Sequence, residues 1–400
     1  MSGETLSRRA RELEPSATLA MNTKAKKLRA EGKDVISLSV GEPDFPTPAH
    51  ICEAAMKAVE KGPHGYTPVA GTPELRAAIA RSLSRKTGVP YQPAQTVASP
   101  GGKYSLCLAL QALVDPGDEV IIPSPRWVSY PEMVRLVGGV PVFVETREED
   151  GFVLSPEALE KAITPRTKLL ILNSPSNPTG QVFPPALIQA IGKILERRGL
   201  WCLSDEIYDC LVFGGAVHQS VASVSDYCRD HTVVVNGCSK AYAMTGWRLG
   251  WIGAPAKVAA AIDDIQGQTC SNPCFAAQAA ALAALEGPQD CVAAMAARFD
   301  QRRLLTHRLL TAIPGVSMSL PNGAFYALPN ISALFGRLLG GRRVESPLDF
   351  CEAALDKAHV ALVPGEAFGA PRHVRISYAT SEKNLEEGCR RLRELAEGRL

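Results

Sequence analysis

The sequence predicts an α/β protein: a mostly parallel sheet covered by helices, followed by a smaller α+β unit. Three observations predict it. Short β-branched runs alternate with segments whose apolar residues recur every three or four positions. Polar turns rich in Gly, Pro, Asn and Ser directly follow several of those runs. After about residue 275 the alternation gives way to long helical stretches and then to a few separated strands. The chain has 400 residues, 46% hydrophobic and 21% charged, which is ordinary globular composition with length for a large core and two or three domains.

In chain order, a polar N-terminal arm precedes the first short run, Thr96–Ala98, which opens into helical spacing over Tyr104–Leu113. Strand-like runs follow at Glu119–Ile122, Pro141–Glu145 and Lys168–Asn173, with helical spacing over Ala186–Leu195 after the last of them. Further runs lie at Trp201–Asp205, Thr232–Asn236 and Leu249–Ala254. From Phe275 to about Ile313 the pattern is helical, first the alanine-rich Ala276–Leu285 and then a longer stretch that Pro314–Gly315 stops. The smaller unit then reads as strand Gly323–Leu328, helix Leu348–Lys357, strands Val360–Pro364 and Val374–Tyr378, and a charged amphipathic helix Glu382–Leu395. No repeat or long linker separates the two units, which predicts tight packing around a long shared helix.

Lys and Arg number 43 against 41 Asp and Glu, for a net charge of +2. The two signs are interspersed, so no basic stripe exists for a phosphate backbone and no nucleic-acid partner is expected. Apolar runs such as Leu169–Leu172 fall far short of the ~20 residues that cross a bilayer, so no membrane association is expected. Met1–Glu14 is charged and has no apolar segment of the secretory kind, which predicts a cytoplasmic protein. The eleven cysteines are odd in number, lack any Cys-x-x-Cys and sit mostly in apolar context, the signature of free thiols. Cys270 and Cys274 have Pro273 between them and no His nearby, so no metal site is expected.

Ligands of open α/β sheets bind at the carboxyl ends of the strands. Three polar turns occupy such places: Ser99-Pro-Gly-Gly-Lys103, Asn173-Ser-Pro-Ser-Asn-Pro-Thr-Gly180 and Ser204-Asp-Glu-Ile-Tyr208. Gly101-Gly102-Lys103 at a helix start can offer backbone N–H groups to a phosphate, and it serves equally as a plain turn. It is not a Walker loop, and the absence of any Gly-x-Gly removes the dinucleotide fingerprint. Asn173–Gly180 and Asp205–Tyr208 are each open to a turn or helix-cap reading. The most informative stretch is Asn236-Gly-Cys-Ser-Lys-Ala-Tyr-Ala-Met-Thr-Gly-Trp-Arg-Leu-Gly250. A lysine just after a strand, among apolar neighbours and eight residues before an arginine, suits an uncharged amine that forms an imine beside a guanidinium that grips a phosphate.

Over nearly its whole length, from Pro15-Ser-Ala-Thr18 to the C-terminal helix, the sequence resembles the fold-type I pyridoxal-phosphate aminotransferases of the aspartate aminotransferase family. Within these it is most similar to the bacterial branch that includes aspartate/prephenate aminotransferases. The motifs that carry the resemblance occur in order: Gly41-Glu-Pro-Asp-Phe45, Tyr66-Thr-Pro, Gly71-Thr-Pro-Glu-Leu-Arg76, Gly101-Gly-Lys103, Trp127-Val-Ser-Tyr-Pro-Glu-Met133, Asn177-Pro-Thr-Gly180, Ser204-Asp-Glu-Ile-Tyr208, Ser239-Lys240, Met244-Thr-Gly-Trp-Arg248 and Arg375-Ile-Ser-Tyr378. The resemblance implies a mostly parallel seven-stranded sheet sandwiched by helices. It also implies an N-terminal arm (1–40) packing with the small domain, a large cofactor-binding domain (41–290) and a C-terminal small domain (291–400).

The resemblance also assigns roles. Lys240 would hold pyridoxal 5'-phosphate covalently and act as general base, Asp205 would pair with the pyridine nitrogen, and Asn177 and Tyr208 would hydrogen-bond the phenolic oxygen. Trp127 would stack on the ring. Arg248, Gly102, Lys103 and Ser239 would surround the phosphate, with Tyr66 reaching it from the partner subunit of a homodimer. Arg375 would clamp the substrate α-carboxylate with help from Gly41, and Lys103 and Thr18 would meet a distal carboxylate. Aspartate or glutamate would donate, and 2-oxoglutarate or oxaloacetate would accept, in a ping-pong cycle. The alternatives are an aminotransferase for alanine, aromatic amino acids or prephenate, and a β-lyase.

Three positions depart from the family. Gly237 replaces a serine that many relatives have three residues before the lysine. Glu14 stands where prephenate-using relatives have a basic residue. Arg126, where a tyrosine is frequent, is read as a solvent-facing arginine rather than a ligand contact.

Overall fold

A computed structural model describes residues 5–13 and 17–400, without the side chains of 8, 12 and 17–19. Its centre is a seven-stranded sheet. Across it run Thr96–Ser99, Gly250–Gly253, Thr232–Gly237, Trp201–Asp205, Thr167–Asn173, Glu119–Ser124 and Val140–Glu145. Only Gly250–Gly253 is antiparallel to its neighbours; all other pairs are parallel. The inner strands are buried almost throughout, as parallel strands covered on both faces must be.

Three apolar clusters cover the sheet. One joins Leu106, Met133 and Ile262 to Val120 and Val235; a second joins Leu159, Ile188 and Leu195 to Ile121 and Leu170; a third joins Leu75 and Ala281 to Val234 and Trp251. Several helices start where a Ser or Thr precedes Pro. Thr72, Ser155 and Ser346 each accept the N–H of the residue three further on, and the proline in between needs no N–H partner.

The helical stretch of residues 275–313 consists of two helices, Phe275–Glu286 and Asp290–Thr311. The second spans two cores: Val292 packs in the cluster with Leu75, while Met295, Phe299 and Leu310 join the core of the C-terminal unit. That unit contains an antiparallel sheet of Val363–Pro364, Val374–Ser377 and Tyr326–Ala327, together with the helices Pro347–Asp356 and Glu382–Ala396. Ile36–Ser37 adds to it by pairing in parallel with Val360–Ala361. Buried Arg302 closes the junction by bonding Asp44 at 2.6 Å and Glu382 at 2.9 Å.

The expected strand Gly323–Leu328 is shorter than its sequence suggests, only Tyr326–Ala327. Its first residues make other bonds: Gly323 N–H goes to the Gly180 carbonyl and Ala324 N–H to the Leu211 carbonyl, and Ala324 takes a positive φ of 55°.

Candidate active site

Strand register sets the level of the site. Asn173 lies opposite Asp205, Asp205 opposite Val235, and Gly237 opposite Gly250, so the polar strand ends gather at one edge of the sheet. A cavity of about 370 Å³ opens there. Gly41, Gly102, Lys103, Trp127, Asn177, Asp205, Tyr208, Ser239, Lys240, Arg248 and Arg375 all line it. Tyr66, Thr18 and Glu14 are not among them. Tyr66 projects away from its own chain, 92% exposed, and the Thr18 side chain and Glu14 lie outside the described residues.

Lys240 follows the strand Thr232–Gly237 on a single helical turn, Cys238–Ala241. Its Nζ donates to the Gly41 carbonyl at 2.7 Å. Burial pushes the amine down to about 8, opposed by Glu42 and Asp205 and assisted by Arg375 and Arg248. An amine tuned to that range can take up and release a proton near neutral pH.

Asp205 ends its strand buried. Its Oδ2 accepts the Tyr130 hydroxyl at 2.7 Å and its Oδ1 the Ile207 N–H at 3.3 Å. Burial raises its carboxyl to about 6 despite these bonds. Neighbouring Asn173 organises the next turn, with its Nδ2 on the Asp205 carbonyl at 3.0 Å and its Oδ1 accepting the Asn177 N–H at 2.8 Å. Asn177 Oδ1 in turn accepts from Arg375 Nη1 at 3.2 Å. Tyr208 bonds the Tyr326 hydroxyl at 3.0 Å. Trp127 stands edge-on to Tyr130 with its ring under the Lys103 ammonium, 4.8 Å from Nζ to the ring centroid.

Beside these lies a cradle without side chains. Gly101 has φ +92° and precedes the helix Gly102–Leu113, and a Cβ on it would strike the Arg248 guanidinium. A Cβ on Gly250 would strike the Gly101–Gly102 backbone. At Gly237 a Cβ would lie 2.9 Å from Gly250 Cα, so the backbone packing leaves no room there for the serine of relatives. The result is a helix N-terminus, Gly102–Lys103, on the cavity wall next to Arg248, the geometry that favours a phosphate.

Arg375, on the strand Val374–Ser377, is only 2% exposed. Nη2 donates to the Ser39 carbonyl at 2.6 Å, but Nε is buried with no acceptor. Among the described residues no carboxylate lies within ion-pair distance of Lys103, Lys240, Arg248 or Arg375. Four cations therefore face one cavity whose own acids are Asp205 and Glu42. Such an arrangement is completed by an anionic ligand.

Arg126 differs from expectation. It is half-buried, lies over the Phe143 ring at 3.7 Å and donates to Ser124 Oγ at 2.9 Å, while its N–H bonds the Phe368 carbonyl. It is only partly open to solvent, because the turn that holds Phe368 packs against it, and it does not line this cavity. Glu42, Tyr130, Asn173, Thr245 and Tyr326 also line the site and were not singled out in the sequence. Tyr130 had one available signal: it stands one helical turn after Trp127.

Residues 33–392 match the model of the family described as aminotransferase class I and II. The aspartate aminotransferase of Geobacillus stearothermophilus is 46% identical over 394 residues, 98% of this chain and 99% of its own. The aspartate/prephenate aminotransferase of Cereibacter sphaeroides is 46% identical over 388 residues, 96% of this chain and 97% of its own. Among solved structures, the Thermus thermophilus aspartate aminotransferase with maleate superposes with a TM-score of 0.91 at 44% identity, covering 98% of this chain and 99% of its own.

Proposed function

The chain belongs to the class I and II aminotransferases, and on that premise we propose that it binds pyridoxal 5'-phosphate in this cavity and transfers the amino group between aspartate or glutamate and the corresponding 2-oxo acids. The observation that carries the reading is the set of unpaired cations around one cavity, above all Arg375 with its buried, unpartnered Nε. A cofactor phosphate, a substrate α-carboxylate and a distal carboxylate are the anions that such a set accommodates.

The residues fit the cofactor. Gly102, Ser239, Lys103 and Arg248 would hold its phosphate, Trp127 its ring face, Asn177 and Tyr208 its phenolic oxygen, and Asp205 its ring nitrogen. When bound, it supplies an electron sink and a carrier for the amino group. Lys240 is the attachment point and the base that moves the proton released at the substrate α-carbon. Asp205, an anion at neutral pH, keeps a proton on the ring nitrogen. Arg375 orients the α-carboxylate from the side held by Asn177 and Ser39.

Lys103 would meet the distal carboxylate. It is pushed down by burial and by Arg248, and the charge of an incoming anion offsets both effects. The maleate named with the Thermus relative is a dicarboxylate of the matching kind. We assign cofactor binding to residues 41–290, and the carboxylate clamp to residues 291–400 with the arm 1–40 packed on them. The working unit is a homodimer in which Tyr66 completes the partner's phosphate site.

Borohydride treatment of the cofactor-loaded protein followed by peptide mass spectrometry tests the assignment. The cofactor is expected on the Lys240 peptide alone; recovery on another lysine, or on none, would overturn it.

A further inference from the structure

The segment Gly41–Glu42 meets the stretch from Lys240 to Thr245 at two points. Lys240 Nζ donates to the Gly41 carbonyl at 2.7 Å, and Thr245 Oγ1 donates to Glu42 Oε2 at 3.0 Å. The position of the carbonyl is fixed from behind, since a Cβ on Gly41 would strike the Tyr326 hydroxyl. The second bond ties the Glu42 carboxylate to the cavity wall beside the residue on which the amine rests. Glu42 makes no ion pair among the described residues, so its charge is not neutralised by a neighbouring cation.

The amine is faced from several elements. Asp205 is the other acid and Arg248, Arg375 and Lys103 are cations, while the rings of Tyr208 and Phe325 have their centroids 5.9 and 5.7 Å from Nζ. Asp205 is committed to the Tyr130 hydroxyl and the Ile207 N–H. Against three cations, Glu42 is the stronger and Asp205 the weaker of the two acids that favour a charged lysine.

We propose that Glu42 is a positioning residue for Lys240: anchored by Thr245, its carboxylate retains the proton on the free lysine amine and keeps that amine seated on the Gly41 carbonyl whenever it carries no other bond. Burial lowers the amine's proton affinity and Glu42 is the largest opposing influence, in keeping with this geometry. The inference rests on reading Lys240 as the reactive lysine of the site, but it concerns the free amine and can be measured without turnover.

The test is trace acetylation of the full-length, cofactor-free chain with acetic anhydride from pH 6 to pH 10, with the Lys240 peptide quantified by mass spectrometry. Only the neutral amine reacts, so the midpoint of the profile reports its protonation. Glu42→Gln is expected to move the Lys240 midpoint down by about one unit, a roughly fivefold faster labelling at pH 7, with other lysine peptides unchanged. Thr245→Val, which releases the carboxylate, is expected to shift it in the same direction by less, and it serves if Glu42→Gln does not fold. A Lys240 midpoint that stays in place or rises in a folded variant overturns the proposal. That outcome leaves cofactor attachment to Lys240 intact, so the two readings fail separately.

Discussion

Arg375 illustrates how a residue ordinary in sequence becomes decisive in place: on a strand it reads as one more charge, but in the fold it is a buried guanidinium with an unused donor. Arg375→Lys removes the planar fork while retaining the charge, and is expected to weaken the transition state by about 2 kcal/mol, roughly 30-fold, mainly through KM for the amino acid. Steady-state kinetics with aspartate checks it, with cofactor uptake unchanged. Asp205 carries a different cost. Burial raises its carboxyl from 3.8 to about 6, so the folded cofactor-free protein binds this proton more tightly than the unfolded chain. That contribution is full below about pH 4 and is lost as pH rises through 6. Asp205→Asn, which keeps an acceptor for the Tyr130 hydroxyl but loses the one for the Ile207 N–H, is therefore expected to stabilise the cofactor-free protein at pH 7.5 by up to about 2 kcal/mol, less at pH 5, while abolishing transamination. Thermal melts at both pH values check the sign. Lys240, Asp205 and Asn177 were legible because each ends or follows a strand and falls in a local motif. Tyr130, Tyr326 and Glu42 were not, because their partners Asp205, Tyr208 and Thr245 lie 75, 118 and 203 residues away in the chain.

Among elements, the strand ends and the glycine cradle do most to locate the chemistry. Gly250→Ala places a Cβ against the Gly101–Gly102 backbone, which has no flexible side chain to yield. It is expected to destabilise by about 2–3 kcal/mol in chemical denaturation and to weaken cofactor binding. Gly246→Ala, four residues earlier and with nothing within 4 Å of its Cβ, is the near-neutral control. The strands of the large sheet were legible to within a residue or two, since buried parallel strands must be apolar and β-branched. Helix starts at Thr72, Ser155 and Ser346 are written in Ser/Thr–Pro pairs. The antiparallel direction of Gly250–Gly253 was not written, because direction depends on the path of the chain and not on side-chain period. Gly323–Ala324 misled for a related reason: its backbone bonds go to the Gly180 and Leu211 carbonyls, far off in sequence.

For the whole molecule, the proposed homodimer offers a partner for exposed side chains. Tyr66 is 92% exposed, and Met56 and Val59, on the helix Ala49–Lys61, are 61% and 54% exposed. In the proposed homodimer each site takes its own Lys240 and the partner's Tyr66. Mixing Lys240→Ala with Tyr66→Phe subunits under exchange conditions should therefore restore activity above either parent, since hybrids contain one site with both residues intact; no gain on mixing would count against a shared site. The central claim, amino-group transfer with aspartate as donor, is tested most directly by a single half-reaction. The cofactor-loaded protein is mixed with aspartate and no acceptor, and oxaloacetate and ammonia are counted per site. The account predicts one oxaloacetate per site, no ammonia, and resumed turnover only when 2-oxoglutarate is added, with none of this in Lys240→Ala. Continuous release of ammonia without an acceptor, or no oxaloacetate at all, would contradict it.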